Sequence, residues 1–198
     1  MKGALSSLVF AVGLAASADA DPIPLASLSD YLETLPALEA EFVQRADGLD
    51  VAPGRLFLKR PGRMRFEYEG DGSMVIAAGG ALAIFDPRSN ENPTRFPLAQ
   101  TPLKVILERD VDLERADMVV AHWEEGEFTA VRAQDPERPD YGHIDLWFSG
   151  DPIQLRRWVV VDSAGFATEM ELRRMRLGGR VPNRLFNILA ETNAWGDR

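Results

Sequence analysis

The sequence predicts a mainly β protein built on one large, curled antiparallel sheet of about ten strands, with two or three short helices. Three observations predict it. Apolar and polar residues alternate with a period of two in many short segments along the chain. Glycine, proline and aspartate punctuate those segments at the spacing of tight turns, and helical spacing of apolar residues is confined to short stretches.

The chain has 198 residues and a formal net charge of −9, with 31 Asp and Glu against 22 Lys and Arg. Its first twenty residues, MKGALSSLVFAVGLAASADA, place a lysine before an apolar run from Ala4 to Ala16 and end on Ala18-Asp19-Ala20. That is the pattern of a cleaved secretory signal peptide, with an apolar run too short for a membrane span. Residues 21–198 are then expected to form a single exported domain. There is no cysteine, so neither disulfides nor thiolate chemistry contributes, and the hydrophobic core alone must hold the fold. The acidic balance excludes a nucleic-acid partner, whose footprint would be basic.

After the leader, Leu25, Leu28, Leu32 and Leu35 recur at three and four positions, which predicts an amphipathic helix from Pro24 to Leu35 stopped by Pro36. The period then falls to two: Leu38, Ala40 and Phe42 alternate with Glu39, Glu41 and Val43. RLFLKRP and RMRFEYE read as paired strands joined by a turn at Pro61-Gly62. In SMVIAAGGALAIFDP, Gly79-Gly80 divides two apolar runs and supplies the positive φ angles of a hairpin turn.

QTPLKVILE predicts a second short helix, with Thr101 as cap, Pro102 in the first turn, and Leu103, Ile106 and Leu107 on one face. Strands resume in MVVAHWEEGEFTAVRA, turning around Gly126, and continue in HIDLWFS. LRRWVVVDSAGFATEMELRRM follows, turning at residues 162–165, and RLFNI reads as a last short strand. The polar tail ETNAWGDR is unassigned.

Catalytic patterns do not emerge. The two histidines, His122 and His143, stand on separate strand-like segments without metal-ligand spacing, and each reads as a surface or half-buried strand residue. No G-x-S-x-G elbow is present, and the scattered carboxylates single out no pair of the kind glycosidases use. The expectation is a protein without catalysis or cofactor.

A curled sheet has a concave face, and an apolar one needs a cover or a ligand. The two amphipathic helices are candidates for that cover. Strand parity puts Leu56, Leu58 and Arg60 on one face and Arg55, Phe57 and Lys59 on the other. By spacing alone, Arg60 reads either as a rim charge beside Pro61 or as an inward group among apolar neighbours. Arg63 and Arg65, opposite in parity to Met64, Phe66 and Tyr68, are expected to face water.

GRLFLKRPGRMRFEY, MVIAAGGALAIFDP, TPLKVIL and WVVVDSAGFATEMEL, in that order and spacing, resemble the periplasmic outer-membrane lipoprotein carriers of the LolA family. The resemblance runs from near the first helix to LFNI. It implies an incomplete β-barrel with a lid of short helices over an interior cavity for lipoprotein acyl chains. It also implies a periplasmic monomer loaded by an inner-membrane ABC-type lipoprotein release complex and delivering toward the outer membrane, where a separate receptor is left open. Arg60, in the family's K-R-P setting, is implied as the latch that bonds to lid carbonyls. The expected cavity wall is Leu56, Leu58, Met64, Phe66, Leu146 and Phe148, and the expected lid residues are Leu28, Leu32, Leu103 and Ile106. The alternative is a lipid- or lipopeptide-sensing module of the same fold.

Overall fold

The computed structural model describes residues 21–46, 50–89, 91–115 and 117–196. The leader expected over residues 1–20 lies outside the described residues.

Eleven antiparallel strands form one sheet: β1 (Ala37–Ala46), β2 (Asp50–Lys59), β3 (Arg63–Tyr68), β4 (Met74–Ala78), β5 (Ala81–Phe85), β6 (Thr94–Pro97), β7 (Val119–Glu125), β8 (Phe128–Gln134), β9 (His143–Ser149), β10 (Gln154–Val161) and β11 (Ala167–Leu177). Their spatial order is β6-β5-β4-β3-β2-β1-β11-β10-β9-β8-β7, so β1 meets β11 at the centre and the sheet does not close into a barrel. Turns follow the residue chemistry. Gly79 and Gly80 both take positive φ in the two-residue β4–β5 hairpin.

The curl has identifiable sources. Register shifts interrupt the β1–β11, β9–β10 and β7–β8 pairings, and Arg174 takes a left-handed φ of 46° beside the first of them. In β2, Gly54 pairs with Phe42 on one side and Tyr68 on the other. A Cβ at Gly54 would lie 2.5 Å from the Phe42 ring, so only glycine lets that ring lie across the concave floor.

Among the described residues, three α-helices accompany the sheet: α1 (Leu25–Glu33), α2 (Lys104–Leu107) and α3 (Ile188–Gly196). The first two match the predicted helices, both shorter than expected. The anticipated cap of α2 differs: Thr101 Oγ1 donates to the Leu98 carbonyl of the preceding 3₁₀ turn and leaves the α2 N-terminus uncapped by a side chain. One strand lies outside the expected segments: β6 is a four-residue edge strand ending in proline and carries no apolar alternation.

The RLFNI strand is corrected. Asn183–Phe186 is a 3₁₀ turn, and the chain continues into α3. An apolar run of this length is ambiguous between strand and helix. Here β2 to β5 are already paired on both sides, so the segment packs on the outer face of the sheet instead of extending it. Val181 and Phe186 form a cluster with Ala37 and Phe57, while Ile188 and Trp195 pack on Met74, Ile76, Ala83 and Phe85. The sequence carries the signal for this second layer: residues 74–78 and 81–85 are apolar at both parities, so both faces need cover.

That strap overturns the expectation for Arg65, which is only 7% exposed. It does face outward, but α3 and its approach lie over it. Its guanidinium donates to Glu67 Oε1 at 2.7 Å, to the Leu185 carbonyl at 2.9 Å and to Glu191 Oε1 at 2.8 Å. Arg63 is half-buried and donates to Asn183 Oδ1, which also accepts from Lys59. Arg65→Leu is therefore expected to cost about 2–3 kcal/mol, below the full range for breaking a buried pair because both carboxylates are partly solvated. Thermal unfolding should show a midpoint lower by about 5–10 °C.

Candidate functional site

The concave face is one continuous apolar surface. Register places Leu38, Ala40 and Phe42 of β1 beside Leu58, Leu56 and Gly54 of β2, then Met64 and Phe66 of β3. On the other half, Leu146 and Phe148 of β9 lie between Val131 and Thr129 of β8 and Trp158 and Leu155 of β10. The structure brings the predicted wall residues Leu56, Leu58, Met64, Phe66, Leu146 and Phe148 into a single buried cluster. Leu28, Leu32 and Ile106 belong to the same cluster, and Leu103 packs half-buried against it. Phe42 and Trp158, absent from the expected wall, form the centre of the floor. Their rings stand near Phe66, with centroids 5.5 and 6.3 Å away.

The cover has three parts. Helix α1 turns Leu28, Ser29 and Leu32 inward. Its leading residue Ile23 donates its N–H to Thr129 Oγ1 at 2.9 Å, and its carbonyl lies 3.0 Å from His122 Nε2, which gives that histidine a structural partner. Tyr31 accepts the Leu155 N–H and meets Phe148 edge to face.

Helix α2 contributes Val105, Ile106 and Leu107 and is tethered by the Lys104 ammonium on Asp135. The segment after α2 is the third part, and sequence reading did not assign it. Val111, Leu113 and Met118 are buried in the same core, and Leu113 donates its N–H to Ser29 Oγ, tying this segment to α1. Val111 and Leu113 are isolated apolar residues without a period, so no alternation marks them, while Met118 opens the segment read as a strand.

Arg60 stands where these parts meet. It is 9% exposed, one residue beyond the end of β2. Its Nε donates to the Glu108 carbonyl at 3.2 Å, and its Nη2 donates to the same carbonyl at 2.5 Å and to the Arg109 carbonyl at 3.1 Å. Both carbonyls follow the last turn of α2, where helical acceptors run out of internal partners. The neighbouring Gly62 N–H takes the Leu107 carbonyl at 2.8 Å, and the Arg60 N–H takes that of Pro36. Burial pushes the Arg60 guanidinium below its ordinary pKa, and Glu33 and Asp110 oppose that shift. One β-turn thus fastens the end of α2 and the linker between α1 and β1 to the rim of the sheet.

Among the described residues, no group of three His, Asp or Glu side chains is placed to hold a metal ion, and no helix is long and apolar enough to cross a membrane. The chemistry available here is apolar burial under a cover fastened by a few polar bonds. A curled, unclosed sheet with such a covered concave face defines the class: an incomplete barrel whose apolar inner face lies under a cover of short helices.

The chain belongs to the LolA family. The family model described as outer membrane lipoprotein carrier protein LolA matches residues 33–189, well over half of the sequence. Several solved structures are similar at very low identity. A proposed outer membrane lipoprotein-sorting protein domain from Vibrio parahaemolyticus is similar at 9% identity and a TM-score of 0.50, over 87% of this chain and 97% of that one. A LolA superfamily protein from Nitrosomonas europaea is similar at 11% identity and a TM-score of 0.44, over 83% of this chain and 98% of that one. A DUF1329 family protein from Desulfovibrio piger is similar at 10% identity and a TM-score of 0.48, over 85% and 96%. No curated protein sequence matches the chain significantly.

Proposed function

We propose that this protein is a periplasmic carrier that shields the acyl chains of lipoproteins and moves them from the inner membrane toward the outer membrane. The observation that carries this reading is the continuous apolar floor of the concave face beneath a cover that is fastened at Arg60. A lipoprotein cannot cross an aqueous compartment with its chains bare, because each methylene exposed costs about 0.8 kcal/mol and a single long chain costs about 10 kcal/mol. Displacing Leu28, Leu32, Leu103 and Ile106 from the floor would give those chains an equivalent apolar surface.

In this reading Arg60 is the latch. Its bonds hold the cover shut in the empty protein, and loading breaks them. An opened cover leaves a partly buried guanidinium and two carbonyls without partners, which raises the energy of the loaded state and favours handing the cargo on. Loading would fall to an inner-membrane ABC-type release complex, and the protein would act as a monomer without catalysis or cofactor.

Mass spectrometry of the protein purified from periplasm tests the reading. Cells blocked in delivery should yield it with lipoprotein bound. Recovery of empty protein from such cells would overturn the carrier function.

A further inference from the structure

The end of the sheet remote from the cover is built differently from the floor. Ala52 lies eight residues before Arg60 on β2, a separation of about 26 Å along an extended strand. At that end the concave positions of neighbouring strands are Gln44, Ala52, Tyr68, Val75 and Ile84. Ile84 shares its face with the buried core yet is 37% exposed. A cleft of about 650 Å³ opens here, and its outer rim carries Asp71, Asp86 and Arg88.

At the inner edge of the cleft the Tyr68 hydroxyl donates to Gln44 Oε1 at 2.5 Å. The Tyr68 ring packs edge to face on Phe42, 5.2 Å between centroids, so this polar pair marks the boundary between aromatic floor and open cleft. The Gln44 amide nitrogen has no hydrogen-bond partner among the described residues and is left with two N–H donors. Burial pushes the Tyr68 phenol pKa upward, so it stays protonated. Among the described residues that line the cleft the one guanidinium is Arg88, whose Nε lies near Asp71 and Asp86 at the exposed rim, and Glu69 adds a third carboxylate.

We propose that Gln44 and Tyr68 form a subsite for the neutral ester and amide carbonyls at the head of an acylated ligand. The acyl chains then run over Phe42 and Phe66 toward the cover, and the polar remainder of the ligand leaves past Asp71 and Arg88. This rests on the carrier reading and adds the orientation of the cargo. The dimensions agree: an acyl chain that fills half of a bilayer's hydrocarbon core spans about 15 Å, which fits within the length between Tyr68 and Arg60. Neutral donors at the inner edge, in a cleft lined by Glu69, Asp71 and Asp86 against the single Arg88, favour neutral carbonyls over a carboxylate, so esterified and amidated acyl groups are favoured over free fatty acids.

The test compares two probes on the full chain. One is a synthetic diacylated lipopeptide, and the other is diphenylhexatriene, a hydrocarbon without carbonyls. Gln44→Leu and Tyr68→Phe, the second of which keeps the ring against Phe42, are expected to weaken lipopeptide binding about five- to twentyfold and leave hydrocarbon binding within about twofold. Unchanged lipopeptide affinity, or equal loss for both probes, would overturn the subsite while leaving the carrier reading in place. Failure of the unmodified protein to bind either probe would overturn both.

Discussion

Replacing Arg60 with leucine is expected to leave loading intact and to slow release of cargo by about ten- to a hundredfold. The guanidinium bonds to the Glu108 and Arg109 carbonyls of the cover, and in the proposed latch those bonds are given up when the cover opens. Hydrogen bonds to charged groups contribute about 1.5–3 kcal/mol, so removing the donor removes about that much of the drive to close. Leucine fills the site with apolar surface and leaves no buried charge unpaired in the open state. Loaded protein therefore loses its penalty and retains cargo. The measurement is the rate of lipoprotein transfer from the loaded variant to acceptor membranes. Transfer at the normal rate would remove the latch and leave the carrier standing. Arg60→Lys separates charge from geometry, since a lysine cannot present the planar fork that meets two carbonyls at once and should recover only part of the normal rate.

The largest loss of stability is expected from Phe42→Ala. Its side chain is 1% exposed, meets Phe66 and Tyr68 edge to face, and covers the bare backbone of Gly54. Truncating a buried phenylalanine of this kind costs about 3–5 kcal/mol, because the cavity cannot collapse when the flanking strands are fixed by their ladders. Denaturant unfolding should show that loss with little change in slope. The paired change Gly54→Ala with Phe42→Ala should cost less than the sum of the two single changes, since removing the ring relieves its clash with the alanine methyl at position 54 and leaves only the one with the Glu67 carbonyl oxygen. Additive costs would mean that the glycine serves something other than the ring.

Much of the fold is legible in the sequence because its signals are local. Alternation in residues 55–59 and 63–68 marks two strands, and Gly79-Gly80 marks a hairpin turn by the φ angles it permits. The concave residues Leu56, Leu58, Met64 and Phe66 follow from parity once one of them is known to face inward. Signals fail where a residue's environment comes from a distant part of the chain. Arg65 alternates correctly with Met64 and Phe66 and faces outward, yet it is buried, since the strap that covers it lies about 120 residues later. The same distance hid the role of RLFNI, whose short apolar run has no period of its own. Val111 and Leu113 were invisible for a related reason: irregular backbone can place any residue inward.

By itself the sequence determined most of the strands and their turns, the two covering helices and the parity of Arg60, because each depends on neighbours a few positions away. Only the tertiary structure decided which faces were doubly covered, how the segment after α2 joins the cover, and which carbonyls meet Arg60. Those outcomes come from contacts between segments tens of residues apart, where the closing of the whole sheet, and no local periodicity, sets who touches whom.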